Sequence, residues 1–198
     1  MRRLITITGP SGAGKDTVAR MMSEMTDWPV LCSYTTRPMR EGEVNGREHY
    51  FVEHVNVSPT KMLAYTHYGG YDYWTRLDQV KDTAIYVIDE VGLVELKEKH
   101  PDIEIFSFYV RCSVATRLCR GVKLSRIIRD FERIKKAPRI ELNGRIYNDR
   151  DITELKYSIA RQICMLPFIS DLLNPFSTKT EDKEESLGEF HLCSESDE

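Results

Sequence analysis

Between the short apolar run Leu4-Ile5-Thr6-Ile7-Thr8 and a helical stretch over residues 17–25 stands Gly9-Pro10-Ser11-Gly12-Ala13-Gly14-Lys15-Asp16-Thr17. A strand, a glycine-rich turn and a helix in that order admit few folds. The glycines let the backbone wrap closely around oxygen atoms with its N–H groups inward, and the helix N-terminus adds a field that favours an anion. The spacing G-x-x-x-x-G-K belongs to loops that cradle nucleotide phosphates, the lysine reaching the outer ones. Gly9, Ser11, Gly12, Ala13, Gly14, Lys15, Asp16 and Thr17 are therefore assigned to ATP, and Lys15 also to stabilising charge during phosphoryl transfer. Asp16 stands where a magnesium-binding hydroxyl is expected. It reaches the ion directly or through water, and Thr17 is the other candidate.

The rest of the chain supplies a frame for that loop. Ala84-Ile85-Tyr86-Val87-Ile88-Asp89 reads as a buried strand with a carboxylate at its end, and residues 30–33, 103–110 and 145–148 read as further strands. Residues 113–136 have helical spacing and carry Arg117, Arg120, Arg126, Arg129 and Arg133; a last helix over 151–166 opens on an aspartate cap. Arg126 and Arg129 read equally as a solvated helix face. Strands alternating with helices predict an α/β fold, a mostly parallel sheet covered on both faces. Ligands in such sheets bind outside the carboxyl ends of the strands, where the loop and Asp89 both fall. Residues 34–52, rich in Pro, Gly, Arg and aromatics, read as an insertion of loop and hairpin.

Charge and cysteine content narrow the partners. The net charge is -3, but eight acidic residues face two lysines from Ser177 to the C-terminus, which leaves the remainder at +3. A mildly basic body suits a small anionic ligand and is too weak a balance for nucleic acid. The tail is expected to be disordered. No run approaches the roughly 18–20 uncharged apolar residues of a membrane span, and the run at 4–8 is too short for a signal-peptide core. Cys32, Cys112, Cys119, Cys164 and Cys193 are odd in number, with no CxxC pair, as expected of reduced thiols in a cytoplasm. His54, His67, His100 and His191 read as surface residues.

A second cluster follows the loop. Ser33-Tyr34-Thr35-Thr36-Arg37-Pro38-Met39-Arg40-Glu41-Gly42-Glu43-Val44-Asn45-Gly46-Arg47-Glu48-His49-Tyr50-Phe51-Val52 sets two arginines three residues apart among hydroxyls and aromatics, a candidate clamp for a second phosphate. The loop and this string together resemble the guanylate kinase family, most strongly over the first 55 residues and more weakly to about Ile163. The resemblance implies a P-loop NTPase three-layer fold over 1–176, with a substrate-binding insertion at about 34–82 and a lid at about 117–138; 177–198 lie beyond as the acidic tail. It implies transfer of phosphate from ATP, with Mg²⁺, to a nucleoside monophosphate, GMP or dGMP foremost, by a monomer or homodimer.

By position the resemblance gives Arg37, Arg40 and Tyr73 to the substrate phosphate, Ser33 and Thr75 to the base, and Asp89 to metal and substrate. His49 falls where a phosphate-contacting tyrosine is usual, with Tyr50 beside it. Arg117 and Arg120 resemble the family's lid segment, though one residue is missing from it, and Arg129 and Arg133 are the candidates for the second lid arginine. Ala64 occupies the place of the carboxylate that reads guanine, so weaker guanine discrimination is expected, with Asp72 or Glu90 as substitutes. Trp74 replaces a glycine before Thr75, and Val87 the first acid of a strand-end pair. The GKDT loop also resembles kinases of other deoxynucleotides and of ribose 1,5-bisphosphate. A phosphopeptide-binding module of the same family would be expected to have a degraded loop.

Overall fold

A computed structural model describes residues 1–68, 70–136 and 140–169. The chain divides into a unit from Met1 to Met165 and a second from Leu166 to Glu198. Of the second, only 166–169 are described, a turn in which the Ile169 N–H donates to the Leu166 carbonyl. The acidic segment 177–198, His191 and the last two residues of the expected lid lie outside the described residues.

The first unit is built on a parallel sheet. Strand β1 (Arg3–Thr8) lies between β6 (Thr83–Val87) and β7 (Glu104–Arg111), and β8 (Gly144–Tyr147) pairs with β7. Leu4, Ile5, Thr6, Ile7 and Thr8 are all fully buried. A central parallel strand is covered on both faces, so Thr6 and Thr8, which alternate with Ile5 and Ile7, are buried as deeply as those isoleucines. The one hydroxyl exchange across it, from Thr6 to the Phe106 carbonyl and Ser107 Oγ, satisfies the threonine in place. Helix α1 (Lys15–Thr26) packs on β1 and β6, and α5 (Ile152–Cys164) on α1 and β8. Asp151 caps α5 by accepting from the N–H groups of Thr153 and Glu154, the predicted start.

The insertion forms a second sheet in the order β3 (Tyr50–Phe51), β2 (Tyr34–Thr35), β5 (Tyr71–Arg76), β4 (Met62–Tyr68). Trp74 is 1% exposed and stacks on Tyr34 at 5.6 Å, which in turn stacks on Tyr50 at 4.8 Å. The aromatic cluster is thus the packing of this sheet. A shared core joins Leu4 and Ala84 to Leu63 of the insertion and to Leu93 and Leu96 of α2 (Glu90–Lys99).

Three expectations change. The strand at 30–33 reduces to one bridge, Val30 to Ile85, because the chain leaves the edge of β6 to start the second sheet at Tyr34. His100 is buried rather than superficial, its Nε2 3.0 Å from the Leu63 carbonyl. The helix over 113–136 is two helices, α3 (Val114–Cys119) and α4 (Leu124–Lys136). Gly121, at φ 80°, ends the first, its N–H donating to the Leu118 carbonyl and that of Val122 to the Arg117 carbonyl. The four described cysteines are free thiols, and no helix among the described residues is long and apolar enough to cross a membrane.

The Gly121 break is set by backbone conformation alone, since no heavy atom lies within 4 Å of where a Cβ would stand. Gly121→Ala should therefore cost about 1–2 kcal/mol of unfolding free energy in a urea titration, and Gly121→Asn distinctly less.

Candidate active site

The loop sits at the carboxyl end of β1, held open by its glycines. Gly9 has φ 143°, and a Cβ there would lie 2.6 Å from the Val110 carbonyl oxygen. Gly14 has φ 88°, and its Cβ would collide with the Asn148 amide. Helix α1 carries no side-chain cap, so its first-turn N–H groups are available to an anion. The Lys15 ammonium folds over the loop and donates to the carbonyls of Gly9 (3.0 Å) and Pro10 (3.3 Å). Burial lowers its pKa. Ala13 is fully buried, Ser11, Gly14 and Thr17 are half-buried, and Gly12 and Asp16 are exposed.

The helices that follow β7 secure the loop. Arg117, 3% exposed, donates from Nε to the Ser11 carbonyl (2.7 Å) and from Nη2 to Asp130 Oδ2 (2.6 Å). Asp130, equally buried, accepts from the Ser11 N–H (2.8 Å) and the Ser11 hydroxyl (3.1 Å). Arg120 donates to the Gly12 carbonyl and to the Asn148 carbonyl and side-chain oxygen, and Asn148 Nδ2 to the Ala13 carbonyl. Of the arginines expected to act, Arg120 is thus committed to the loop and Arg129 lies on the exposed side of α4. Arg133 pairs with Glu90 at the start of α2. A cavity of about 400 Å³ beside the loop is lined by Gly14, Lys15, Asp16, Arg120, Asn148 and Arg150.

On the acceptor side the expected clamp is arranged differently. Arg37, 7% exposed, puts its fork on Glu43, Nη1 to Oε2 at 3.0 Å and Nη2 to Oε1 at 2.9 Å. A guanidinium this buried needs a counter-charge when no phosphate is present. Arg40 is exposed, and its own N–H also donates to Glu43. These bonds hold the Glu43 carboxyl at a pKa of about 2. Ser33 Oγ lies 2.7 Å from His49 Nδ1, and His49 meets Phe51 and Tyr73 edge-on. Burial, and after it the charge of Arg37, push the His49 pKa down and so favour the neutral ring. Tyr50 is stacked on Tyr34 and partly exposed. Thr75 is fully buried behind the surface, its hydroxyl donated to Tyr86 (2.9 Å), and it is Tyr86 that lines the pocket.

A cavity of about 420 Å³ between the second sheet and α2 is lined by Ser33, Ala64, Tyr73, Trp74, Asp89 and Glu95, among others. Asp89 caps α2 by accepting from the Gly92 N–H. The two proposed replacements for the acid at position 64 are both otherwise engaged. Asp72 accepts from Tyr65 (2.7 Å) and bonds His67 (2.8 Å), and Glu90 holds Arg133. Glu95, on α2, is a carboxylate of the cavity wall that sequence reasoning missed. Glu43, Asp130 and Asn148 were missed as well; only for Asn148, a polar residue at the end of the last strand, was there a local signal.

No group of three or more His, Cys, Asp or Glu among the described residues forms a metal cluster. Magnesium bound with a nucleotide keeps several waters and takes one or two carboxylates beside the phosphates. Asp16, exposed at the loop end without a hydrogen bond among the described residues, and the second oxygen of Asp89 fit that modest demand.

Comparison with known proteins follows the same lines. The family model described as guanylate kinase matches residues 1–101. The guanylate kinase of Lactobacillus acidophilus is 35% identical over 150 residues, 68% of this chain and 72% of the relative. That of Enterococcus faecalis is 37% identical over 111 residues, 50% of this chain and 54% of the relative. The crystal structure of guanylate kinase from Anaplasma phagocytophilum superposes with a TM-score of 0.58 at 21% identity, covering 90% of this chain and 88% of that one. A gluconokinase from Sinorhizobium meliloti superposes at 0.52 with 13% identity, a likeness of fold alone.

The Arg37–Glu43 pair gives a pH dependence of definite sign. A depressed carboxyl pKa contributes stability that is complete above its ordinary value of 4.5 and is lost as pH falls toward about 2. Carboxyl NMR should place the Glu43 midpoint near 2, and Arg37→Ala should move it up toward 4.5.

Proposed function

The chain belongs to the guanylate kinase family, and on that premise we propose that it transfers the terminal phosphoryl group of ATP to a nucleoside monophosphate, GMP or dGMP before others. The observation that carries this reading is the pairing of an intact phosphate loop with a separate cavity reached by Ser33, Tyr73 and Asp89. ATP lies with its phosphates on the N–H groups at 12–17, and the acceptor phosphate near Arg37, Arg40, His49 and Tyr73. An oxygen of the acceptor phosphate attacks the terminal phosphorus, the bond to the bridging oxygen breaks, and ADP leaves with the electron pair. Lys15 and Arg133 supply fixed positive charge where negative charge spreads over the transferring oxygens. Asp16 or Asp89 would hold magnesium together with the nucleotide, and the ion would there offset charge on the outer phosphates. Four free thiols among the described residues accord with work in the cytoplasm.

The base is read less strictly than the phosphates. Ala64 offers no acceptor to the N–H edge of guanine, and Thr75 is turned away to Tyr86. The polar groups that remain on the cavity wall include Ser33, Tyr86, Asp89 and Glu95. This supports a second reading in which other nucleoside monophosphates are also accepted, since discrimination by shape and stacking is worth only about 1–3 kcal/mol.

A coupled ADP-release screen across the ribo- and deoxyribonucleoside monophosphates, with ribose 1,5-bisphosphate included, checks both readings. GMP or dGMP should give the highest kcat/KM, and Ala64→Glu should widen the margin over adenine and pyrimidine nucleotides. Lys15→Ala should lower kcat by at least about 100-fold with the fold retained. Turnover of none of these acceptors would sink the assignment.

A further inference from the structure

Two buried acidic residues meet arginines beside the phosphate loop, and they are not equivalent. Asp130 is saturated: it accepts from the Ser11 N–H, the Ser11 hydroxyl and Arg117 Nη2. Its partner Arg117 is as buried as itself and is also tied to the Ser11 carbonyl. Two of the three nitrogens of that guanidinium are thus committed to the protein frame. Glu90 and Arg133 differ in how far their polar atoms are used. Glu90 is 4% exposed, yet among the described residues only its Oε2 is used, by Arg133 Nη1, and its Oε1 is buried without a hydrogen-bond partner. The Arg133 side chain keeps 29% of its surface exposed, and its Nη2 stands 4.0 Å from Asp130 Oδ1, beyond hydrogen-bond reach.

The placement of this pair is set by three elements. Glu90 follows Asp89 at the end of β6, next to the strand that feeds the loop. Arg133 lies three residues after Asp130 and so on the same face of α4, which Asp130 holds on Ser11. Their charges both bear on Lys15 and, with Asp130 and Arg117, on Tyr109 at the end of β7. A buried carboxylate with one oxygen unsatisfied calls for an explanation.

We propose that Glu90 is a positioning residue for phosphoryl transfer: it fixes Arg133 by one guanidinium nitrogen beside Lys15 and leaves the remaining N–H donors for the transferring group. Its free Oε1 offers a second point of contact that locks the guanidinium when substrates are bound. The role rests on the kinase reading above. Aspartate, a methylene shorter, would keep the charge and lose the reach; glutamine would keep the shape and lose the charge.

The test combines kinetics with a measurement that needs no turnover. Glu90→Gln should lower kcat roughly 10- to 100-fold, with the KM values for ATP and acceptor changed little, as expected when one donor is misplaced by about 1 Å. Glu90→Asp should recover part of that loss. Arg133→Ala should lose at least as much as Glu90→Gln, and adding Glu90→Gln to it should change kcat by less than about twofold. Side-chain NMR of Arg133 in the substrate-free protein should show hindered rotation about Nε–Cζ, lost in Glu90→Gln while the thermal midpoint stays close to wild type. The proposal is overturned by wild-type kcat in Glu90→Gln, by additive losses in the double variant, by a loss confined to KM, or by an Arg133 signal indifferent to Glu90. If the wild type phosphorylates no acceptor, the kinase reading fails, and the NMR arm still decides whether Glu90 fixes Arg133.

Discussion

The buried pair of Arg117 and Asp130 is the interaction on which the arrangement turns. Each is 3% exposed, and two charges taken out of water are stable there only if every remaining bond is made. Ser11 supplies three of them: its carbonyl accepts from the arginine, and its N–H and hydroxyl donate to the aspartate. The loop, α3 and α4 are thereby one electrostatic object. Removing either charge alone would leave the other buried and unpaired, a loss of about 3–5 kcal/mol. The glycines shape the loop, but this pair decides what lies over it.

Much of the donor side was legible because its signals are local. The strand at 4–8, the turn and the helix from residue 17 lie within two dozen residues, and each was read from composition and spacing. The cap Asp151 was legible for the same reason. What held those pieces was not. Ser11 and Asp130 are 119 residues apart, and Ala13 and Asn148 are 135 apart. No periodicity links such positions, and only the folded sheet brings β1 and the β7–α3 and β8–α5 connections together. The helix break at Gly121 was overlooked because the arginines on either side kept helical spacing.

The acceptor side shows the opposite failure. Arg37 and Arg40 were read as a pair because they are near each other in sequence, but the partner of Arg37 is an acid six residues on. Residue type marked a candidate phosphate-binding cation without saying that Glu43 neutralises it. Thr75 was assigned to the base by alignment, yet strand alternation beside Trp74 turns it inward to Tyr86. Here the pleat decided which hydroxyl faces the cavity, and a single residue of register exchanges one for another.

Trp74 has a consequence of its own. It is buried at 1% exposure, it stacks on Tyr34, and it forms part of the wall of the cavity between the second sheet and α2. The chain has one other tryptophan, Trp28, placed just after α1. The emission of the indole at position 74 is set by a dry, aromatic environment on one side and by the contents of the cavity on the other. A molecule entering that cavity stands against a fluorophore the protein already carries, so its filling has an optical signal without any label.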